Sequence, residues 1–112
     1  MTVDEARRIA LSFPEAEESA HMGHPDFRVR GKIFATLWTD EERVVVKLTP
    51  EMQTAMTEAE PSLFEPIEGS WGKRGWTNLD QIEADEETLR SALLAAWTAV
   101  APTALVAEYA PL

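Results

Sequence analysis

The sequence predicts an α+β domain, and three observations predict it. Three segments each join a helix-capping signal to an apolar stripe at helical spacing. Between the first and the second lies a stretch of branched and aromatic residues broken by two turn signals, which reads as a strand meander. No repeat, low-complexity tract or linker divides the chain, so residues 1–112 form one domain.

Thr2 and Glu5 make a capping box, and Ala6, Ile9, Ala10 and Phe13 recur on one face behind it. A first helix is expected from about Val3 to Phe13, stopping before Pro14. A polar connection follows, with a short strand near Ser19–Met22. Phe27–Val29 and Lys32–Trp38 then flank Arg30-Gly31, a two-residue hairpin turn. Thr39-Asp40-Glu41-Glu42 turns the chain into a third strand, Arg43–Leu48. If directly opposite residues share a face, Ile33, Ala35, Leu37, Val44, Val46 and Leu48 form a core face. The other face then carries Phe27, Val29, Lys32, Phe34, Trp38, Arg43, Val45 and Lys47. A one-residue slip reverses such an assignment.

Thr49-Pro50-Glu51 starts a middle helix with a capping hydroxyl, a first-turn proline and an acid at the positive dipole end. Met52, Ala55, Met56 and Ala59 give its stripe, and Pro61 ends it. Residues 62–75 read as irregular and glycine-rich, with Trp71 beside Gly72-Lys73-Arg74-Gly75. A strand is expected at Trp76–Ile82. Asp85 caps a long helix with Leu89, Ala92, Leu93, Ala96, Trp97 and Val100 on its apolar face. Pro102 breaks it, and a short helix over Thr103–Tyr109 closes the chain.

The composition excludes several functions. There is no cysteine, hence no disulfide, thiolate nucleophile or zinc–sulfur site, which suits a reducing cytoplasm. No apolar run approaches the ~20 residues that span a bilayer, and the acidic N-terminus is unlike a secretory signal. The expectation is a soluble, cytoplasmic, monomeric protein. The net charge of −10 opposes long-range attraction to a phosphate backbone. Yet seven of the ten basic residues fall in two stretches: Arg28, Arg30, Lys32, Arg43 and Lys47, then Lys73 and Arg74.

Catalytic patterns are missing. Ser70 lies in Gly-Ser-Trp-Gly, which is not a nucleophile elbow. No phosphate loop or dinucleotide fingerprint occurs, and the carboxylates sit in surface-like runs. The expectation is therefore no enzyme and no cofactor. His21, His24 and Asp26 are metal-ligand types at close spacing. Pro25 argues for an extended chain there, and a third firm ligand is missing, so no metal is expected. A hydrogen bond from His24 to the backbone where the sheet begins is the ordinary reading.

Several segments also resemble a known family. These are Phe13-Pro14, His24-Pro25-Asp26-Phe27-Arg28-Val29, Gly31-Lys32-Ile33-Phe34-Ala35, Val46-Lys47-Leu48 and Gly72-Lys73-Arg74-Gly75-Trp76. In order and spacing they resemble the MmcQ/YjbR family of small bacterial proteins over almost the whole chain. The resemblance implies a curved antiparallel sheet of about four to six strands with an N-terminal, a middle and a long C-terminal helix packed on it. That fold is likened to frataxin-type (CyaY-like) proteins and to a double-wing DNA-binding domain. The resemblance implies a DNA-binding label and no agreed catalytic residues, and fold likeness does not fix activity.

The aromatic and basic residues are the sharpest functional signal. Arg28, Lys32, Arg43, Lys47, Lys73 and Arg74 are candidates for meeting phosphates, and Trp38, Trp71 and Trp76 for stacking on bases. His24, by its place in the family motif, is a candidate for shaping a ligand cleft, together with Phe27 and Phe34. The leading expectation is a non-enzymatic module that binds DNA. The alternative is a module for a small anionic ligand or a protein partner. Against both stands a plainer account: Phe34 and Trp38 form a second core with Arg43 and Lys47 snorkelling at its edge, and Trp71 and Trp76 pin a loop.

Overall fold

The computed structural model describes residues 2–21, 23–41, 43–80 and 84–109. The elements follow in chain order as α1 (Val3–Leu11), β1 (Ala16–His21), β2 (His24–Val29) and β3 (Lys32–Trp38). A 3₁₀ turn (Thr39–Glu41) leads to β4 (Arg43–Lys47), α2 (Pro50–Ala59), β5 (Phe64–Pro66) and α3 (Ser70–Lys73). The chain ends with β6 (Trp76–Asp80), α4 (Glu86–Val100) and α5 (Thr103–Tyr109).

The six strands form one antiparallel sheet in the order β1-β2-β3-β4-β6-β5. The first four make the expected meander. β6 then returns between β4 and the edge strand β5. The Arg30-Gly31 turn joins β2 to β3 with both residues at positive φ, 53° and 82°, the backbone of a hairpin turn that matches strand twist. Val29 and Lys32 face each other across it.

The capping signals act as read. Thr2 and Glu5 close the capping box of α1, Thr49 accepts from the Met52 N–H, and Asp85 accepts from the Thr88 N–H. α1 ends two residues short of the expected Phe13, because the Ser12 hydroxyl donates to the Ile9 carbonyl at 2.6 Å and Phe13 turns into the core. The strand expected near Ser19–Met22 runs Ala16–His21. Met22, like Gln81 and Ile82 of the expected Trp76–Ile82 strand, lies outside the described residues. On α2, Met52 and Met56 reach the core while Ala55 and Ala59 are exposed. The segment read as irregular holds β5 and the single turn of α3, both too short to carry a periodic signal.

The largest departure is the assignment of faces. Phe27 pairs with Ala35, but Arg28 pairs with Ile33, so Phe34 is an extra residue at a β-bulge. Phe34 and Ala35 therefore both point into the core. Phe27, Val29 and Phe34 join Leu37, Val44, Val46 and Leu48 there. Ile33 changes to the opposite face. The turn register was correct; the slip lies three residues past it, at Phe34.

α4 lies across β3 and β4, with α1 against α4 and α2 against β5. Leu89, Ala92, Leu93, Ala96 and Trp97 are the buried face of α4, and each fully buried leucine contributes roughly 1.5–3 kcal/mol. Trp97 is fully buried, packs on Phe13 and Tyr109, and donates its indole N–H to the Pro14 carbonyl at 3.1 Å. The helices thus cover the face that bears Leu37 and Val44 and leave the opposite face free for a site. No helix among the described residues is long and apolar enough to cross a membrane.

Candidate functional site

Side chains alternate along each strand, so the pairings define the uncovered face. From β1 to β5 it carries Glu17, Ser19 and His21; His24, Asp26 and Arg28; Ile33, Thr36 and Trp38; Arg43, Val45 and Lys47; Trp76, Asn78 and Asp80; and Glu65. A groove of about 370 Å³ opens on this face. Ile33, Thr36 and Val45 come from the sheet itself. Trp38, Trp71 and Trp76 supply three indoles, Ile67 adds a branched side chain, and His21 and Arg43 supply the polar groups.

Each indole is held differently. Trp38 donates its N–H to the Thr36 hydroxyl at 3.1 Å. The His24 ring stacks on it at 4.0 Å between centroids, and the Arg43 guanidinium lies 4.5 Å from its ring centre. Trp76 meets Trp71 edge to face at 5.9 Å, and the Lys47 ammonium stands 5.8 Å from the Trp76 ring. Trp71 remains 57 % exposed. It rides on α3, whose position is set by close backbone approach: a Cβ on Gly72 would lie 1.7 Å from the Ile67 carbonyl oxygen. Gln53 of α2 fastens the same turn by donating to the Gly72 carbonyl at 2.9 Å and to the Thr77 hydroxyl at 3.0 Å.

The cations are unequally available. Arg43 donates from Nη1 to Asn78 Oδ1 at 3.0 Å. Its Nε is buried without a hydrogen-bond partner. The Glu41 carboxylate stands 3.5 Å from that atom as an ion pair, 55 % exposed itself, and makes no hydrogen bond to it. Lys47 donates to the Arg74 carbonyl. Burial, and then the nearby Arg74 charge, push the Lys47 ammonium below the usual lysine range. Arg28 grips the fully buried Asp26 with two hydrogen bonds, at 2.9 and 3.0 Å. That contact raises the Arg28 guanidinium above its ordinary value.

Of the residues singled out in the sequence, the fold gathers Trp38, Arg43, Trp71 and Trp76 in the groove, with Lys47 beside it. His24 adjoins them through Trp38. Lys73 and Arg74 are exposed on and just after α3. Lys32 is apart: it pairs with Val29 at the hairpin tip, on the side of the core face. Phe27 and Phe34 do not shape a cleft. Both are fully buried on the covered face, because the bulge reverses the alternation on which that expectation rested. The plainer second-core account fails for Trp38, whose indole lines an open groove, and the loop-pinning account sits poorly with Trp71, which stays 57 % exposed while it meets Trp76 edge to face.

Sequence reasoning missed Ile33, Thr36, Ile67 and His21 as lining residues, and put Val45 on the correct face without naming it for the site. The adjacent apolar pair Phe34-Ala35, which breaks strict alternation, was the available signal for the bulge. No local signal could have brought Ile67 to the sheet. Among the described residues, no three histidine, aspartate or glutamate side chains gather so as to hold a metal ion.

This geometry defines a class: a small α+β domain with one sheet face under helices and a tryptophan-lined groove on the other. The chain belongs to the YjbR family, whose model matches residues 11–99, a span that includes every strand and the whole groove. The fold is similar to the crystal structure of Deinococcus radiodurans protein DR2400, described by the family-model domain DUF419, with a TM-score of 0.73. The two sequences are 20 % identical, and the match covers 86 % of this chain and 75 % of that one. No curated protein matches the sequence.

Proposed function

We propose that the chain is a non-enzymatic binding module whose uncovered sheet face takes a small anionic ligand into the tryptophan groove. The observation that supports this reading is an open cavity of about 370 Å³ with three indoles and an arginine at its wall. Ligand sites span roughly 300–1,000 Å³ and are mostly apolar with a few placed polar groups. A half-exposed indole such as Trp71 loses apolar surface to water until something covers it. A cysteine-free chain suits the cytosol, which is where we place the module.

DNA binding is the second reading. One feature favours it: Lys47, Lys73 and Arg74 accompany Trp71 and Trp76, a pairing of cations and stacking rings that suits single-stranded nucleic acid. Three features weaken it. Arg28 is engaged by Asp26, Lys32 lies toward the other face, and Glu17, Glu65 and Asp80 share the groove face. A continuous phosphate track is thereby interrupted on a body of net charge −10.

The four indole N–H resonances test both readings, because Trp97 is buried in the core and reports only on folding. We expect some small anions from a chemically mixed fragment set to shift Trp38, Trp71 and Trp76 and leave Trp97 in place. Short single-stranded DNA at low salt is expected to leave all four unmoved. Saturable, salt-sensitive shifts with DNA, and none with fragments, would transfer the proposal to the second reading.

A further inference from the structure

Resting on the groove reading, we infer that the ligand is a flat aromatic monocarboxylate of one or two fused rings. Two independent features carry this: the aromatic make-up of the apolar wall and the unsatisfied donor beside it. Three indoles and the branched side chains of Ile33, Val45 and Ile67 line an open groove of about 370 Å³, near the lower end of ligand-site volumes, roughly 300 Å³. A flat ring meets such walls with most of its surface, and aromatic faces and edges reward it beyond area alone. A flexible aliphatic chain of the same volume loses rotamer freedom and gains no ring–ring contact.

The charge follows from Arg43. Its Nε–H is buried and makes no hydrogen bond, and a buried unsatisfied donor is costly until a well-placed acceptor arrives. The groups around Arg43 leave that atom without a hydrogen bond: Asn78 takes Nη1, the Trp38 ring takes the guanidinium face, Glu41 stands 3.5 Å from Nε as an ion pair, and Asp80 lies opposite Arg43 in the sheet register. A ligand carboxylate gains a charge-assisted hydrogen bond there and displaces the weak Glu41 contact. One negative charge suits the place better than two. Arg43 is a single cation in an apolar wall, and the protein as a whole carries −10, so a dianion such as a phosphate monoester meets more repulsion and more desolvation.

The experiment titrates the full chain with naphthoate, its neutral methyl ester, and cyclohexanecarboxylate, reading the four indole N–H resonances. Naphthoate is expected to shift Trp38, Trp71 and Trp76, to leave Trp97 unmoved, to bind about tenfold more tightly than its ester, the worth of one hydrogen bond to a charged group, and to bind more tightly than cyclohexanecarboxylate, which keeps the carboxylate and lacks the flat ring. In Arg43→Met the preference for acid over ester is expected to vanish while the ester still binds, with the Trp97 resonance confirming the fold. Should that variant not fold, the acid-to-ester ratio on the unaltered chain decides alone. If cyclohexanecarboxylate matches naphthoate, the ligand class is wrong and the groove reading stands; if the ester matches the acid, the charge is not recognised, and the ligand class fails together with the anionic part of the groove reading. If none of the three shifts a groove indole while other small anions do, the class again fails alone. If no small molecule of any chemistry shifts them, both fail.

Discussion

At Gly75 the chain has no room for a side chain. Its φ is +106°, and a Cβ there would come within 1.8 Å of the Leu48 carbonyl oxygen. The close approach exists because the Leu48 N–H donates to the Gly75 carbonyl at 3.0 Å, tying the end of β4 to the residue before Trp76. Gly75→Ala is therefore expected to destabilise by more than about 1 kcal/mol, since alanine has no relaxed conformation at that φ and meets fixed backbone. Urea unfolding measures this, and an unchanged midpoint would contradict it. The Trp71 and Trp76 indole resonances should move as well. Arg30 shows a different solution to positive φ. It is not glycine, yet it holds φ 53° while Glu15, itself at φ 57°, grips its guanidinium at 2.5 and 2.9 Å.

Among the elements, β3 and α4 decide most. The bulge at Phe34 lets one strand feed two faces differently along its length: Phe34 and Ala35 fill the core while Ile33 and Thr36 line the groove. α4 depends on its first turn, where the Thr88 N–H donates to Asp85 at 2.7 Å. That backbone hydrogen bond is the main cause holding the Asp85 carboxyl below its ordinary value. A carboxyl depressed on folding contributes stability that is fully present above its unfolded value, near pH 4, and is lost as pH falls through the folded value. Asn at the same position also caps the helix but does not titrate there. The melting temperature of Asp85→Asn is therefore expected to fall less steeply than that of the unaltered chain below about pH 4. Glu15, lowered chiefly by its hydrogen bond from Arg30, acts in the same direction in both proteins. Parallel melting curves across that range would refute the role given to Asp85.

Across the whole molecule, the two faces of the sheet do separate work. Trp97 ties the covered side together, joining α4 to Phe13 and Pro14 near the beginning and to Tyr109 near the end. Trp97→Phe removes the donor to the Pro14 carbonyl and leaves a small void, at a cost of about 1–3 kcal/mol. Chemical denaturation reads the loss, while the resonances of Trp38, Trp71 and Trp76 should hold, because the sheet stands between them and the change. Movement of those resonances would mean that the faces are coupled. Charge is divided as well: of the basic residues clustered in the sequence, Arg28, Arg30 and Arg43 are each paired with a carboxylate, while Lys73 and Arg74 stand exposed on and just after α3.

Helix starts, the hairpin turn and the single core were determined by the sequence, because caps, proline stops and glycine turns act over a few residues. The family likeness was legible for a related reason: its short motifs mark turns and strand starts. The site was legible in part. Trp38, Arg43, Trp71 and Trp76 stood out by type, but only the tertiary structure brought Trp71, on a one-turn helix, over strands some thirty residues earlier in the chain. It also withdrew Phe27, Phe34 and Lys32 from the site. Alternation propagates along a strand, so one extra residue at Phe34 reversed every assignment on one side of it. Whether a face is core or groove depends on which side α4 covers, and that is a property of packing between distant segments. No local spacing encodes it.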